Sequence, residues 1–123
     1  VKTYKGRMPF PPPLSACFDN AKGAGRVKSS RYKQWITAAD KYAYLTPRVS
    51  FTMPVKCEWV LSRPDKRQRD LSNTEKALGD TLKRWGIVTD DSLIHHLTLR
   101  WAAPGEVPPG EVSVTVQELE KAS

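Results

Sequence analysis

Val55 to Leu61 reads V-K-C-E-W-V-L, and Arg63 to Lys76 reads R-P-D-K-R-Q-R-D-L-S-N-T-E-K. A helical run then ends at Gly86, and I-V-T-D-D closes the segment at Asp91. In the first string Val55, Cys57, Trp59 and Leu61 alternate with Lys56, Glu58 and Ser62, the period of two expected of a strand with one buried face. Pro54 fits as its first residue and Pro64 as its end. In the second string and beyond, Leu71, Leu78, Leu82 and Trp85 fall on one side of a helix, with Gly86 placed as the C′ residue. Ser72-Asn73-Thr74-Glu75 reads as a capping box at the helix start. A strand therefore hands over to a helix through a highly charged linker, and the helix returns the chain to a pair of acids.

Downstream, Leu93, His95, Leu97, Leu99 and Trp101 alternate again, and Pro108-Pro109-Gly110 makes a turn into Val112, Val114 and Val116. Two strands are expected, able to pair antiparallel. Upstream, Thr3 to Phe10 reads as a first strand, ended by Pro9, Pro11, Pro12 and Pro13. Ser15 to Lys28 has the Gly, Lys and small-residue composition of an exposed loop. Ser29 or Ser30 then caps a helix with apolar positions Tyr32, Trp35, Ile36, Ala39 and Ala43, stopped by Pro47. The order β, loop, α, β, α, β, β fits a small α/β or α+β sheet covered by two helices, with sites where strands hand over to helices. No internal repeat is evident.

With 123 residues the chain fits a single domain over 1–123, large enough for a core, while a wide nucleic-acid surface calls for a second subunit. The net charge of +7 is uneven. Residues 1–60 carry eleven Lys/Arg against three acids, and residues 61–123 nine against ten. That asymmetry favours a basic face for a polyanion. There is no apolar run long enough to span a bilayer and no signal-peptide pattern, so a cytoplasmic protein with no membrane partner is expected. Cys17 and Cys57 are too few and too far apart for a zinc knuckle or disulfide framework, and read as reduced thiols, Cys57 in the core. Any metal here should be bound by oxygen.

Phosphodiester hydrolysis needs an activated water and neutralisation of developing charge, which carboxylate-held Mg²⁺ supplies. Asp70, at the helix start, and Asp90 and Asp91, beyond it, are separated by one helix and its return, a connection that can bring both ends to one edge. Lys76 is placed to set its ammonium near a phosphate oxygen. Lys66, Arg67 and Arg69 frame the first acid and suit phosphate contact, as do Lys22, Arg26 and Lys28 in the Ser15–Lys28 segment. Taken singly, each has an ordinary structural reading: an N-cap, a turn, a solvated charge. His95 and His96 are neighbours on a strand and cannot line one site together, so packing or surface placement is expected. Trp35, Trp59, Trp85 and Trp101 sit on the apolar phase of their elements and read as core or dimer interface.

The string R-P-D-K-R-Q-R-D-L-S-N-T-E-K-A-L-G-D-T-L with the later G-I-V-T-D-D-S-L-I resembles the signature of the RusA family of Holliday-junction resolvases: a basic run, D-L-D-N, a Lys three positions on, and D-D after the helix. The segments M-P-F-P-P-P-L-S, R-V-K-S-S-R-Y-K-Q-W and M-P-V-K are similar as well, so the likeness spans nearly the whole chain. It implies a mixed four-stranded sheet with two helices in a homodimer. The activity implied is that of a Mg²⁺-dependent endonuclease, Mn²⁺ being an alternative metal, mostly of phage or prophage origin. Such an enzyme nicks opposing strands of four-way junction DNA in recombination and repair. Position by position, Asp70 matches the first acid of D-L-D-N and Asp91 the second acid of D-D, both metal ligands in the family. Asp90 matches the neighbouring acid, Asn73 the Asn, and Lys76 the catalytically important Lys. Ser72 stands where the family has its second Asp. Three explanations are open: the remaining acids suffice with extra waters, the protein binds junctions without cutting, or the residue is an introduced substitution.

Overall fold

The computed structural model describes residues 2–23 and 25–119. Six strands and two helices follow one another: β1 (Thr3–Pro9), β2 (Phe18–Ala21), β3 (Gly25–Lys28), α1 (Ser30–Tyr42), β4 (Val55–Leu61), α2 (Glu75–Arg84), β5 (Ile94–Trp101) and β6 (Glu111–Glu118). The main sheet is mixed and four-stranded, in the order β1-β6-β4-β5. β4 is therefore central, paired antiparallel with β6 and parallel with β5. The expected antiparallel pairing of β5 with β6 does not occur, because β4 inserts between them. The 110-turn delivers β6 to the far side of β4, where it takes β1 as its other neighbour.

Alternation in β4 is realised as read: Val55, Cys57, Trp59 and Leu61 are buried, with Lys56 and Glu58 exposed. Val112, Val114 and Val116 of β6 and Tyr4 and Met8 of β1 join the same core. Between those two, Tyr4 folds its ring over Gly6, where no Cβ would fit. The β4/β5 register slips between Val55 and Lys56, so that Val55 faces Ile94 while Lys56 faces His96. His95 is the extra residue. The slip puts Leu97, Leu99 and Trp101 beside Cys57, Trp59 and Leu61 on the helix-covered face, and leaves both histidines exposed.

Both helices cover one face of the sheet and contribute to one cluster, α1 through Tyr32, Trp35 and Ala39, α2 through Ala77, Leu78 and Leu82. Ser29 caps α1, its hydroxyl accepting from the Tyr32 N–H at 3.1 Å and donating to the Ala16 carbonyl at 2.6 Å. Asp40 of α1 ties the helices together by accepting from the Arg84 guanidinium (2.7 and 3.0 Å) and the Trp85 indole (2.9 Å). Burial opposes ionisation of Asp40, yet these donors outweigh it and hold the carboxyl below its ordinary value. Gly86, at φ +73°, ends α2 as the sequence implied. Its N–H donates to Lys83 and that of Ile87 to Leu82, while the buried Leu82 and Ile87 side chains complete a Schellman motif.

Two local expectations are corrected. Ser15–Lys28 is not an irregular loop: a 3-10 turn (Leu14–Ala16) leads into the β2–β3 hairpin, and Arg26 lies 4.9 Å over the Phe18 ring. Ser72 does not cap α2 either. The chain enters that helix through a 3-10 turn, Leu71–Thr74, and Thr74 occupies the N-cap position, its hydroxyl donating to the Leu71 carbonyl at 2.6 Å. The tighter turn uses the bonds a capping box would have satisfied, and leaves Ser72 exposed.

Candidate active site

The charged linker leaves β4 at Leu61 and is anchored at once, since Ser62 donates to the Glu111 carbonyl and accepts from Gly110. Beyond Pro64 it is braced from within. Asp65 accepts from the Arg67 N–H at 2.9 Å and takes both arms of the Arg69 guanidinium, at 2.6 and 3.1 Å. The Arg69 fork holds the Asp65 carboxyl well below its ordinary value, at about 2, with the Arg67 N–H adding to it. Arg69 also lies 5.5 Å over Phe10, which stacks parallel to Trp101 at 6.0 Å, and Arg63 covers Trp101 at 4.3 Å. The linker is thus a constructed surface that brings the ends of β1, β4 and β5 together.

It delivers Asp70 to the head of the 3-10 turn with extended backbone (φ −88°, ψ 128°). Its carbonyl accepts from Asn73, but its carboxylate caps nothing and stays exposed. The turn that follows has a recess on either side. One, of ≈ 650 Å³, is lined by Asp70 and Asn73 together with Arg31, Arg63, Arg67 and Arg69. The other, of ≈ 660 Å³, is lined by Ser72, Lys76 and Asp91, with Glu75 and Asp80 and an apolar wall that includes Trp59 and Leu97. Lys76 and Asp80, one turn apart on α2, form an ion pair at 3.2 Å.

Asp91 opens a 3-10 turn, Asp91–Leu93, and β5 starts at Ile94, one residue after Leu93, the first of the alternating positions read in the sequence. Asp90 turns elsewhere. It accepts from the Ser92 hydroxyl at 2.9 Å and has Lys83 at 4.0 Å, and these surroundings, Ser92 first and then Asp91, hold its carboxyl below the ordinary value. Among the residues singled out in the sequence, Ser72, Lys76 and Asp91 thus share one recess and Asp70, Asn73, Arg67 and Arg69 the other. Asp90, Lys66, Lys22, Arg26 and Lys28 line neither. Among the described residues no three acids, imidazoles or thiols gather closely enough to hold a metal ion. Sequence reasoning did not single out Arg31, Arg63, Glu75 or Asp80. Arg31 and Arg63 lie far apart along the chain, and only the fold joins them, whereas the i,i+4 spacing of Lys76 and Asp80 was a signal available to find that pair.

The sequence matches the family model for endodeoxyribonuclease RusA over residues 9–117, which takes in the linker, both recesses, β4, β5 and all but the last residue of β6, and begins at the end of β1. The chain belongs to the RusA endodeoxyribonuclease family. Named relatives agree. It is 30% identical over 121 residues to the crossover junction endodeoxyribonucleases RusA of Shigella sonnei and of Escherichia coli strain K12, covering 97% of this chain and 98% of each relative. The corresponding protein of Enterobacteria phage 82 is 28% identical over the same span. The RusA likeness carried by the motif strings is therefore a likeness of the whole chain, and the fold is the mixed α+β sheet that the resemblance implied. No helix among the described residues is long and apolar enough to cross a membrane.

Proposed function

We propose that this chain is a structure-specific endodeoxyribonuclease that resolves four-way DNA junctions by paired nicks. The observation that carries the reading is the recess beside α2, lined by both Lys76 and Asp91 within a chain of the RusA family. Lys76 is presented by a helix packed on the core, and Asp80 fixes its ammonium from one turn away. A phosphate entering the recess gains that cation against an oxygen that becomes more negative as the phosphorus is attacked. Asp91, which lines the same recess, orients the attacking water and would hold a divalent cation able to lower that water's pKa, and Trp59 and Leu97 give the recess an apolar wall. Across the turn, Asp70 and the arginine recess hold the continuation of the same strand. Paired nicks on opposing strands call for two such centres related by a two-fold axis, hence a homodimer.

A divalent cation suits the donors on this chain. Asp70 and Asp91 offer hard oxygen ligands, and Mg²⁺ keeps several waters while taking one or two carboxylates and substrate phosphate oxygens. When bound, such an ion lowers the pKa of a coordinated water and neutralises charge on the phosphate. Among the described residues no three-carboxylate cage forms, and Ser72 places a neutral hydroxyl in the recess of Asp91 where the family pattern has an acid. Ser72 also favours a second reading, a junction-binding protein on the same fold that cuts poorly or not at all.

A supercoiled plasmid that extrudes a cruciform separates these readings. Coincident nicking of two opposed strands yields linear plasmid, the outcome expected of a two-site resolvase. Nicked circles alone would contradict paired action. A retained but uncut cruciform would select the binding protein.

A further inference from the structure

The arginine-lined recess contains more positive charge than the protein itself uses. Among the described residues, no carboxylate lies within ion-pair distance of the guanidinium of Arg31, Arg63 or Arg67. Arg69, the fourth, is already paired with Asp65 through two bonds. Three unpaired guanidiniums from α1 and from the linker thus converge on ≈ 650 Å³ of open space whose one acidic wall is Asp70. A cleft lined by charges of one sign focuses its field and draws an anion into it. The arrangement is also stiffened in advance. Arg63 rests on Trp101, Trp101 stacks on Phe10, and Phe10 carries Arg69, so a planar fork is already held at the rim before anything binds.

We propose that Arg31, Arg63 and Arg67 form a phosphate clamp for a DNA backbone phosphate on the Asp70 side of the turn, distinct from the phosphate cut beside Lys76. Arg69 serves as a positioning residue, bracing the linker through Asp65 and Phe10. The occupant is a phosphodiester rather than a base, because the faces of Phe10 and Trp101 are already taken by each other and by the two guanidiniums. The proposal rests on the nuclease reading for its ligand, but not on cleavage.

The test is the salt dependence of DNA binding, followed by fluorescence anisotropy on a labelled four-way junction and on a linear duplex between 50 and 200 mM salt. Each phosphate contact removed should reduce the slope of log K against log salt by about 1. The ratio of affinities at the two salt concentrations then shrinks about 3.5-fold for Arg31→Gln and again for Arg63→Gln. Arg31 is exposed on α1, so its variant keeps the fold, and Arg63→Lys keeps the charge should loss of the Trp101 contact disturb the linker. Arg69→Gln should weaken binding through a disordered linker, seen as lowered thermal stability. Slopes unchanged from the parent in both Arg31→Gln and Arg63→Gln would overturn the clamp while leaving junction cleavage intact. If the parent binds duplex and junction equally, the resolvase reading fails, yet the slopes on duplex still decide the clamp.

Discussion

Replacing Ser72 by Asp should strengthen metal binding by an amount set by where residue 72 lies. Its side chain is exposed and shares the recess of Asp91, so a new carboxylate would act through solvent and not through a dry interior. Two unit charges about 4 Å apart in water gain roughly 1 kcal/mol, and a divalent ion doubles this to about 2 kcal/mol. That corresponds to on the order of 30-fold in Mg²⁺ affinity. Without metal the same change has the opposite sign, since two carboxylates in one recess repel by about 1 kcal/mol in water. The variant should therefore melt below the parent in EDTA and recover as Mg²⁺ is added, by linkage. Titration calorimetry with Mg²⁺ on both proteins, paired with single-turnover nicking of a four-way junction, measures each part. Equal Mg²⁺ affinity, or cleavage by the variant no faster than by the parent, would refute the idea that residue 72 is a missing ligand.

Leu78 is fully buried between α2 and the sheet, and Leu78→Ala should cost about 2–5 kcal/mol in urea unfolding with little change in m-value. A loss below about 1 kcal/mol would mean that the core packs differently. Asp65 gives a pH signature. Its folded value of about 2 lies below its ordinary one, so its contribution to linker order is complete above the ordinary carboxylate range and vanishes as pH falls through about 2. A carboxyl ¹³C titration should find Asp65 still ionised at pH 3, and a midpoint near 4 would rule out the Arg69 fork. Burial raises both thiols, Cys57 to about 12, so the native protein should label neither cysteine with a thiol reagent at pH 8 and the unfolded chain both.

How much of this was legible beforehand follows from which interactions are local. The alternation of β4, the Schellman end of α2 at Gly86 and the Ser29 cap of α1 depend on residues a few positions apart, and each is realised. The β2–β3 hairpin was obscured because all of β3, and Lys22 and Gly23 before it, are exposed, leaving no apolar period to read. Ser72-Asn73-Thr74-Glu75 carried the right letters for a capping box, but the buried Thr74 closes a 3-10 turn instead and takes the cap position for itself. Strand neighbours were beyond reach: β5 and β6 are joined by a short connection, and they part because β4 pairs along both of its edges, with β5 on one side and β6 on the other.

The candidate site divides along the same line. Asp70, Lys76 and Asp91 were singled out from their spacing because one turn and one helix connect them, and Ser72 from the family pattern. Their separation into two recesses was not, since it depends on which way the 3-10 turn faces, and spacing counted for a continuous helix misses that by part of a turn. The arginine recess draws Arg31 from α1 and Arg63 from the linker, positions that no local pattern relates.

Cleavage of a four-way junction against a linear duplex of the same sequence, with and without Mg²⁺, tests the central claim most directly. Symmetric nicks in the two opposed strands of the junction, absent from the duplex and absent without Mg²⁺, are the expected result. Selective retention of the junction without nicks at any Mg²⁺ concentration would contradict it and leave a protein that holds junctions but does not cut them.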